Sequence, residues 1–265
     1  MSAANSADTA EFTLFDSHAH IDADAFDNDR GAVLRAARSA GVREILVPAV
    51  SAATWPKLES VCNALPGLFA AYGLHPCYAH ADADVARLQH WLEGHTAAAV
   101  GECGLDFSVS PMGRERQIQL LHAQFEIACV ADLPLVLHAR HAFEQIILEI
   151  RRFAKPLRGV VHSFSGSAEQ AHELHRLGFS VGIGGPVTYA RAQRLRRVAA
   201  TLPADSLLLE TDAPDQPAVG HRGSRNEPAF LREVLVCVAS LRGDDPHTLA
   251  AQTRANARRL FCRLA

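Results

Sequence analysis

Short apolar runs alternate with longer amphipathic segments along almost the whole chain. This alternation is typical of parallel βαβ units, in which helices cover a central sheet. The apolar runs therefore predict strands, and the segments between them predict helices. Eight strands are predicted, at residues 12–15, 44–47, 68–72, 97–101, 135–137, 159–161, 179–183 and 207–209.

Helical patterns fill the intervals between these runs. Seven are predicted at residues 29–40, 55–63, 85–93, 114–131, 142–153, 168–177 and 190–200, and two more follow at 228–241 and 246–260. Eight strand–helix repeats predict an α/β fold of the (β/α)8 TIM-barrel type. An open doubly wound sheet is the alternative, but it usually has five or six strands, and the sequence lacks the glycine-rich dinucleotide fingerprint.

The chain has 265 residues, a length typical of one α/β barrel. Proline and glycine occur singly at turns and form no long linker. We therefore expect a single barrel domain at residues 13–265, preceded by a disordered or frayed terminus at residues 1–12. That terminus lacks the pattern of a secretory signal.

The bulk composition narrows the class of protein. Hydrophobic residues make up 48% of the chain and charged residues 21%, as in ordinary globular proteins. A formal net charge of −3 provides no global field for polyanions. The six cysteines form no CxxC pair, which disfavours a zinc knuckle and a disulfide framework. We expect a cytoplasmic protein with no membrane association and no obligate protein partner.

Histidine and acidic residues follow five of the predicted strands. In a barrel, residues at the carboxyl ends of strands meet at one rim, where active sites are assembled. We therefore expect a metal site at the ends of strands 1, 4, 5, 6 and 8. The predicted ligands are His18, His20, Glu102, His138, His162 and Asp212.

The residue types suit a pair of ions. His18 and His20 are two positions apart, so on a strand both imidazoles point to one face. Glu102 lies between small residues, and its two oxygens can bridge ions about 4 Å apart. A chance His-x-His pair and a loop acid are the alternatives at these positions.

His138 and His162 end successive apolar runs, and Asp212 follows the last one. Histidines of this kind are often hydrogen-bonded core groups, and an aspartate before Ala213-Pro214 can be a turn residue. Their shared position at the rim favours metal ligation. Asp212 and Glu102 are the predicted catalytic residues, and Asp212 can also accept a proton from water. Asp16 and Asp106 are predicted to orient ligands.

The motifs carrying these residues resemble the TatD family of metal-dependent deoxyribonucleases, among the amidohydrolase-like barrels. The matching blocks are FDSHAH at 15–20, YGLHP at 72–76, GECGLD at 101–106, HAR at 138–140, HSFSG at 162–166, ETDAP at 210–214, RNEP at 225–228 and NARRLF at 256–261. The resemblance implies divalent ions held by the four histidines, Glu102 and Asp212. It also implies hydrolysis of phosphodiester bonds, as an exonuclease acting on DNA.

Two positions depart from the family pattern. His141 stands where the family usually has an acid after the arginine of its His-x-Arg block, and Cys103 replaces an aliphatic residue beside Glu102. Neither change removes a predicted ligand. The broader relatives use a lysine for a carbamate bridge, and Glu102 stands in its place here, which favours the nuclease branch.

The expected cofactors are two divalent ions, with Zn, Mn, Mg and Fe all compatible with imidazole and carboxylate ligands. The expected substrate is single-stranded DNA. Phosphate recognition is predicted for His75, Arg140, Arg222 and Arg225, the last two in the loop after strand 8.

Other basic and aromatic side chains give weaker signals for nucleic-acid binding. The arginines at 191, 194, 196 and 197 fit the charged outer face of a helix better than a nucleic-acid track. Base stacking is open to few aromatic residues near the mouth, and for most of these packing is the expected role. They are Tyr78, Phe107, Phe164 and Tyr189.

Two alternatives stay open on the sequence. One is a barrel hydrolase with similar ligands that acts on another ester or amide, such as an aminoacyl-tRNA ester. The other is a non-catalytic binding protein on the same fold, which the intact acids Glu102 and Asp212 disfavour.

Overall fold

A computed structural model describes residues 12–108 and 111–262. Eight parallel strands in these ranges form one sheet with the order β1 to β8. The strands are β1 (Leu14–Asp16), β2 (Val42–Pro48), β3 (Leu68–Tyr72), β4 (Ala99–Asp106), β5 (Leu135–Arg140), β6 (Gly159–Val161), β7 (Phe179–Ile183) and β8 (Leu207–Leu209). The chain is thus a single (β/α)8 TIM barrel, as predicted. The expected disordered terminus at residues 1–12 lies outside the described residues, apart from Phe12.

Contacts between the first and last strands bring the edges of the sheet together. The Ser17 N–H donates to the Leu209 carbonyl at 3.0 Å, and Ala19 and Ala213 form a parallel bridge. Closure removes the two exposed edges that an open sheet would leave. The alternative of an open sheet is therefore wrong.

Nine α-helices are present in the described ranges. They are α1 (Arg30–Ser39), α2 (Trp55–Ala64), α3 (Ala83–Gly94), α4 (Arg114–Ala131), α5 (Phe143–Arg152), α6 (Ala168–Arg176), α7 (Gln193–Thr201), α8 (Leu231–Arg242) and α9 (Pro246–Phe261). None of the helices described is both long enough and apolar enough to cross a membrane.

Local sequence explains where these helices begin. At α6, Ser167 and Gln170 form a reciprocal capping box. At α9, the carboxylate of Asp245 accepts from the Thr248 N–H at 2.8 Å, and Pro246 occupies the first turn, where its missing N–H costs nothing.

The core has two parts. The larger part lies between the strands and the surrounding helices. A smaller cluster takes one buried residue from each of seven strands and adds Ala257 and Phe261 of α9. The strand residues of this cluster are Phe15, Leu46, Ala71, Ala99, Val136, Val160 and Leu208. Helix α9 thus covers one end of the barrel and leaves the other end for the predicted rim.

Candidate metal centre

The structure brings the six predicted ligands to the same end of the barrel. His18 and His20 follow β1, His162 follows β6, and Asp212 follows β8. Glu102 and His138 were predicted just past their strands but lie within β4 and β5, because backbone pairing continues to Asp106 and Arg140.

A close approach of β4 and β5 sets the position of His138. Gly104 pairs with His138, and a Cβ at Gly104 would lie 2.0 Å from the His138 carbonyl oxygen. Its φ of +140° is also a conformation that residues with a side chain rarely adopt. The glycine is therefore required for this pairing.

Glu102 lies between two sets of imidazoles, and each of its oxygens faces one set. Oε2 is 3.3 Å from His18 Nε2 and 3.5 Å from His20 Nε2. Oε1 is 2.8 Å from His162 Nε2 and 3.1 Å from His138 Nδ1. A carboxylate in this position can bridge two cations.

Asp212 joins the first of these sets. Its Oδ1 is 3.6 Å from His18 Nε2 and 3.9 Å from His20 Nε2. Its backbone is left-handed, with φ of 58°, a conformation that aspartate adopts more readily than most residues. The Asp212 N–H donates to the His18 carbonyl at 2.9 Å, which ties the loop after β8 to the end of β1.

The donor set fits divalent cations. The Nε2 atoms of His18 and His20 lie 3.2 Å apart, and His138 Nδ1 lies 3.3 Å from His162 Nε2. Nitrogen lone pairs that converge in this way are well satisfied by a shared cation. Among the described residues, four groups of possible ligands have their donor atoms within 4.8 Å of one another. Three of them consist only of predicted ligands, namely His18–His20–Glu102, Glu102–His138–His162 and His18–His162–Asp212.

Surrounding groups orient the imidazoles. Asp106 Oδ2 lies 3.1 Å from His138 Nε2, so Asp106 supports His138 although His141 replaces the family's usual acid. His141 itself is exposed. The Pro48 carbonyl lies 3.1 Å from His20 Nδ1. Such partners fix the ring orientation of metal-binding histidines.

Asp16 was predicted to orient a ligand, and it orients the backbone around the centre instead of an imidazole ring. Its carboxylate accepts from the Thr211 hydroxyl at 2.6 Å, from the Thr211 N–H at 3.0 Å and from the His18 N–H at 3.2 Å. These bonds join the segments that carry His18 and Asp212.

Electrostatics differ among three of the buried acids, Glu102, Asp212 and Glu210. Burial opposes the ionisation of Glu102, yet the surrounding imidazoles, His75 and His162 foremost, hold its pKa well below the ordinary range. Burial raises the pKa of Asp212 and raises that of Glu210 to about 8. Glu210 accepts from the Ser163 N–H, and it was not singled out from the sequence.

A cavity of about 980 Å³ opens above the centre. His75 and Arg140, two of the predicted phosphate-binding residues, line it. His75 Nε2 is only 2.9 Å from Glu102 Oε1, so His75 reaches the centre itself. Tyr78 also lines the cavity, and 46% of its side chain is exposed.

The other two predicted phosphate contacts lie outside the lining of this cavity. Arg222 is exposed. Arg225 pairs with Asp29 at 2.7 Å and Glu227 at 2.9 Å, and its guanidinium lies over the ring of Phe26. The guanidinium of Arg225, with which it would bind a phosphate, is thus already engaged by the two carboxylates and the ring.

Some of the remaining basic and aromatic side chains pack against the barrel, and others are exposed. Arg196 donates to the Val187 carbonyl at 2.9 Å, Arg191 lies over the ring of Tyr189, and Arg194 and Arg197 are exposed. Phe164 is buried.

Several cavity residues escaped the sequence analysis. Cys77, Lys57, Asp22 and Gln216 all line the cavity. Asp22 Oδ1 is buried and has no hydrogen-bond partner among the described residues. Cys77, Asp22 and Gln216 lie in loops beyond the ends of the apolar runs, where periodicity gives no signal. Lys57 lies in α2, where the amphipathic pattern predicted a helix but no site residue. Proximity of Asp22 to the His18-x-His20 pair was the one available hint.

The sequence of the chain matches those of known proteins. A family model described as "TatD related DNase" matches residues 15–262. The uncharacterized metal-dependent hydrolase YjjV of Escherichia coli is 40% identical over 252 residues, which cover 94% of this chain and 97% of that protein. The 3'-5' ssDNA/RNA exonuclease TatD of Erwinia billingiae is 35% identical over 259 residues, with 94% and 98% covered.

The fold agrees with that of a solved relative. The crystal structure of YjjV, a TatD homolog from Escherichia coli, superposes with a TM-score of 0.89 at 38% identity, covering 95% of this chain and 98% of that one. Sequence and structure match over nearly the full length, and the chain therefore belongs to the TatD family of metal-dependent hydrolases.

Proposed function

We propose that this protein hydrolyses phosphodiester bonds with two divalent ions and removes nucleotides from one end of single-stranded DNA. The observation that carries the proposal is the position of Glu102, whose two oxygens face separate sets of imidazoles. The name of the Erwinia relative, an ssDNA/RNA exonuclease, supports the choice of nucleic acid. Six free cysteines agree with a cytoplasmic location.

His18, His20, Asp212 and Glu102 Oε2 would hold one ion. His138, His162 and Glu102 Oε1 would hold the other. When bound, such ions polarise the phosphoryl group, lower the pKa of a water and stabilise the leaving oxygen. Zn, Mn, Mg and Fe are all compatible with these ligands.

Asp212 is the proposed general base. One of its oxygens faces the imidazoles of the first set, and the other accepts a hydrogen bond from Gln216. The carboxylate is thus held at the cavity, where it can take a proton from a water directed at phosphorus.

Substrate contacts are proposed for side chains of the cavity wall. Arg140 is exposed there and offers a planar guanidinium for a phosphate. His75 lies deeper, beside Glu102. Tyr78 offers a partly exposed ring on which a base can stack. We assign no phosphate contact to Arg222 or Arg225, since neither lines the cavity.

The test is an exonuclease assay with purified protein and added divalent metal. We expect stepwise shortening of end-labelled single-stranded DNA from one end, and we expect a chelator to stop it. Glu102→Ala and Asp212→Ala are each expected to cost orders of magnitude in rate. Glu115→Ala, at an exposed position in α4, is the matched control and should retain full activity.

A panel of substrates distinguishes the proposed nuclease from a barrel hydrolase that acts on another ester. Single-stranded DNA, RNA, an aminoacyl-tRNA and small esters would be compared at equal protein concentration. Metal-dependent turnover of the aminoacyl ester without turnover of DNA would contradict the proposed substrate class. Full activity of Asp212→Ala on DNA would contradict its role as base.

A further inference from the structure

A cysteine thiol lies at the edge of the centre, outside the predicted ligand set. Cys77 follows β3, is partly buried and lines the cavity. Its Sγ and one nitrogen from each of His75 and His138 all lie within 4.8 Å of one another. This group has a soft donor, which the six predicted ligands lack.

Hydrogen bonds already orient two members of the group. The Cys77 N–H donates to His75 Nδ1 at 3.0 Å, so Nε2 is the nitrogen of His75 that a cation can take. Asp106 Oδ2 lies 3.3 Å from Cys77 Sγ and 3.1 Å from His138 Nε2. One carboxylate oxygen thus holds the thiol and the imidazole side by side.

We infer that His75, Cys77 and His138 form a sulfur-containing site for a thiophilic divalent ion of the Zn²⁺ and Co²⁺ class. Imidazole nitrogen and thiolate sulfur are both ordinary ligands of such ions, at about 2.0 Å for nitrogen and about 2.3 Å for sulfur. Thiolate ligands favour these ions over Mg²⁺ and Mn²⁺.

Binding changes the bonds of the thiol. Without an ion, the Cys77 S–H donates to Asp106. When an ion binds, the S–H bond breaks, the proton passes to solvent, and a sulfur–metal bond forms with no change of oxidation state. Burial and the neighbouring Asp106 raise the pKa of the thiol to about 12, and the positive charge of the ion opposes both effects.

The sulfur site shares residues with the Glu102 centre. His75 Nε2 and His138 Nδ1 lie 2.9 Å and 3.1 Å from Glu102 Oε1. An ion bound by Cys77 would therefore use two imidazoles, those of His75 and His138, that also lie beside Glu102 Oε1. We expect this thiol to shift the metal preference of the protein toward thiophilic ions.

Cobalt is the probe, because thiolate bound to Co²⁺ gives an ultraviolet charge-transfer absorption that imidazole and carboxylate ligands do not give. Metal-stripped protein with reduced thiols would be titrated with Co²⁺ alone. The wild-type protein should develop this absorption. Cys77→Ser should lose it and retain the visible bands of cobalt bound by nitrogen and oxygen. Cys103→Ala removes the buried thiol that follows Glu102 in the sequence, and this variant should keep the charge-transfer absorption.

Two results would overturn the sulfur site. One is a wild-type protein without the charge-transfer absorption, and the other is an absorption that survives in Cys77→Ser. X-ray absorption spectroscopy of the cobalt-loaded wild type needs no variant; it should show a sulfur neighbour at about 2.3 Å, and its absence there would equally reject the site. No nucleic acid is used, so failure of the proposed nuclease activity would be seen separately.

Discussion

At the scale of single residues, the position of each candidate ligand relative to its strand explains why the sequence singled it out. His18, Glu102 and His162 interrupt or follow apolar runs, and in a barrel those points converge at one rim. Cys77 and Gln216 lie in loops, whose paths depend on tertiary contacts that periodicity does not record. The sequence therefore indicated the candidate ligands that the structure brings together, and it missed much of the cavity wall.

Gln216 is the loop residue with the clearest expected effect on catalysis. Its side-chain amide donates to Asp212 Oδ2 and to the Ser163 hydroxyl at 2.5 Å. Gln216→Met removes both donors at similar size, so Asp212 loses its fixed orientation. We expect kcat to fall by about tenfold with little change in KM, since outer partners of metal ligands have effects of that size.

Steady-state kinetics on single-stranded DNA measure this effect. Gln193→Met, at an exposed position of α7, is the control and should leave both constants unchanged. A rise in KM at constant kcat would instead make Gln216 a substrate contact.

At the scale of elements, strands and helices were predicted to within a few residues. Helix α4 has the predicted bounds; Gly113 precedes it in an extended conformation, and Asp132 ends it with a left-handed backbone. β4 and β5 run beyond their apolar stretches, since backbone pairing continues through the polar candidate ligands Glu102 and His138. Strand ends at an active site are therefore poorly marked by hydrophobicity.

The pairing of β7 with β8 depends on a glycine. A Cβ at Gly182 would lie 2.1 Å from Glu210 Oε2, which is itself buried. Gly182→Ala must displace that carboxylate or the strand, so we expect the free energy of unfolding to fall by about 1–3 kcal/mol. Urea denaturation followed by circular dichroism measures it.

Gly94, the last residue of α3, is the matched control. A Cβ there would meet nothing within 4 Å. Gly94→Ala should raise the free energy of unfolding slightly, by about 0.4–1 kcal/mol, through the lower entropy of the unfolded chain. Equal effects of the two substitutions would contradict the proposed clash at Gly182.

At the scale of the whole molecule, the two ends of the barrel have different roles. α9 closes one end, where Phe261 packs against Phe15 with ring centroids 6.0 Å apart. Buried Glu44 of β2 also pairs with Arg254 of α9 at 2.6 Å. The candidate metal ligands and the cavity occupy the opposite end. Residues of the closed end should therefore affect stability without affecting catalysis.

Phe261→Ala tests this separation. Loss of the buried ring should lower the free energy of unfolding by about 3–5 kcal/mol. At temperatures where the variant stays folded, kcat/KM should match that of the wild type. Val130→Ala, at a side chain that is 73% exposed, should change the stability by less than about 0.5 kcal/mol. A folded Phe261→Ala protein with impaired turnover would show that the two ends are coupled.

The central claim is that Glu102 bridges two cations at the open end of the barrel. Anomalous diffraction from crystals soaked in Mn²⁺, an ion that a thiolate ligand disfavours, tests it most directly. We predict two peaks about 3.5–4 Å apart, one beside each Glu102 oxygen, with His18, His20 and Asp212 around one peak and His138 and His162 around the other. Peaks distant from Glu102, or a single ion that leaves one of its oxygens without a metal, would contradict the account.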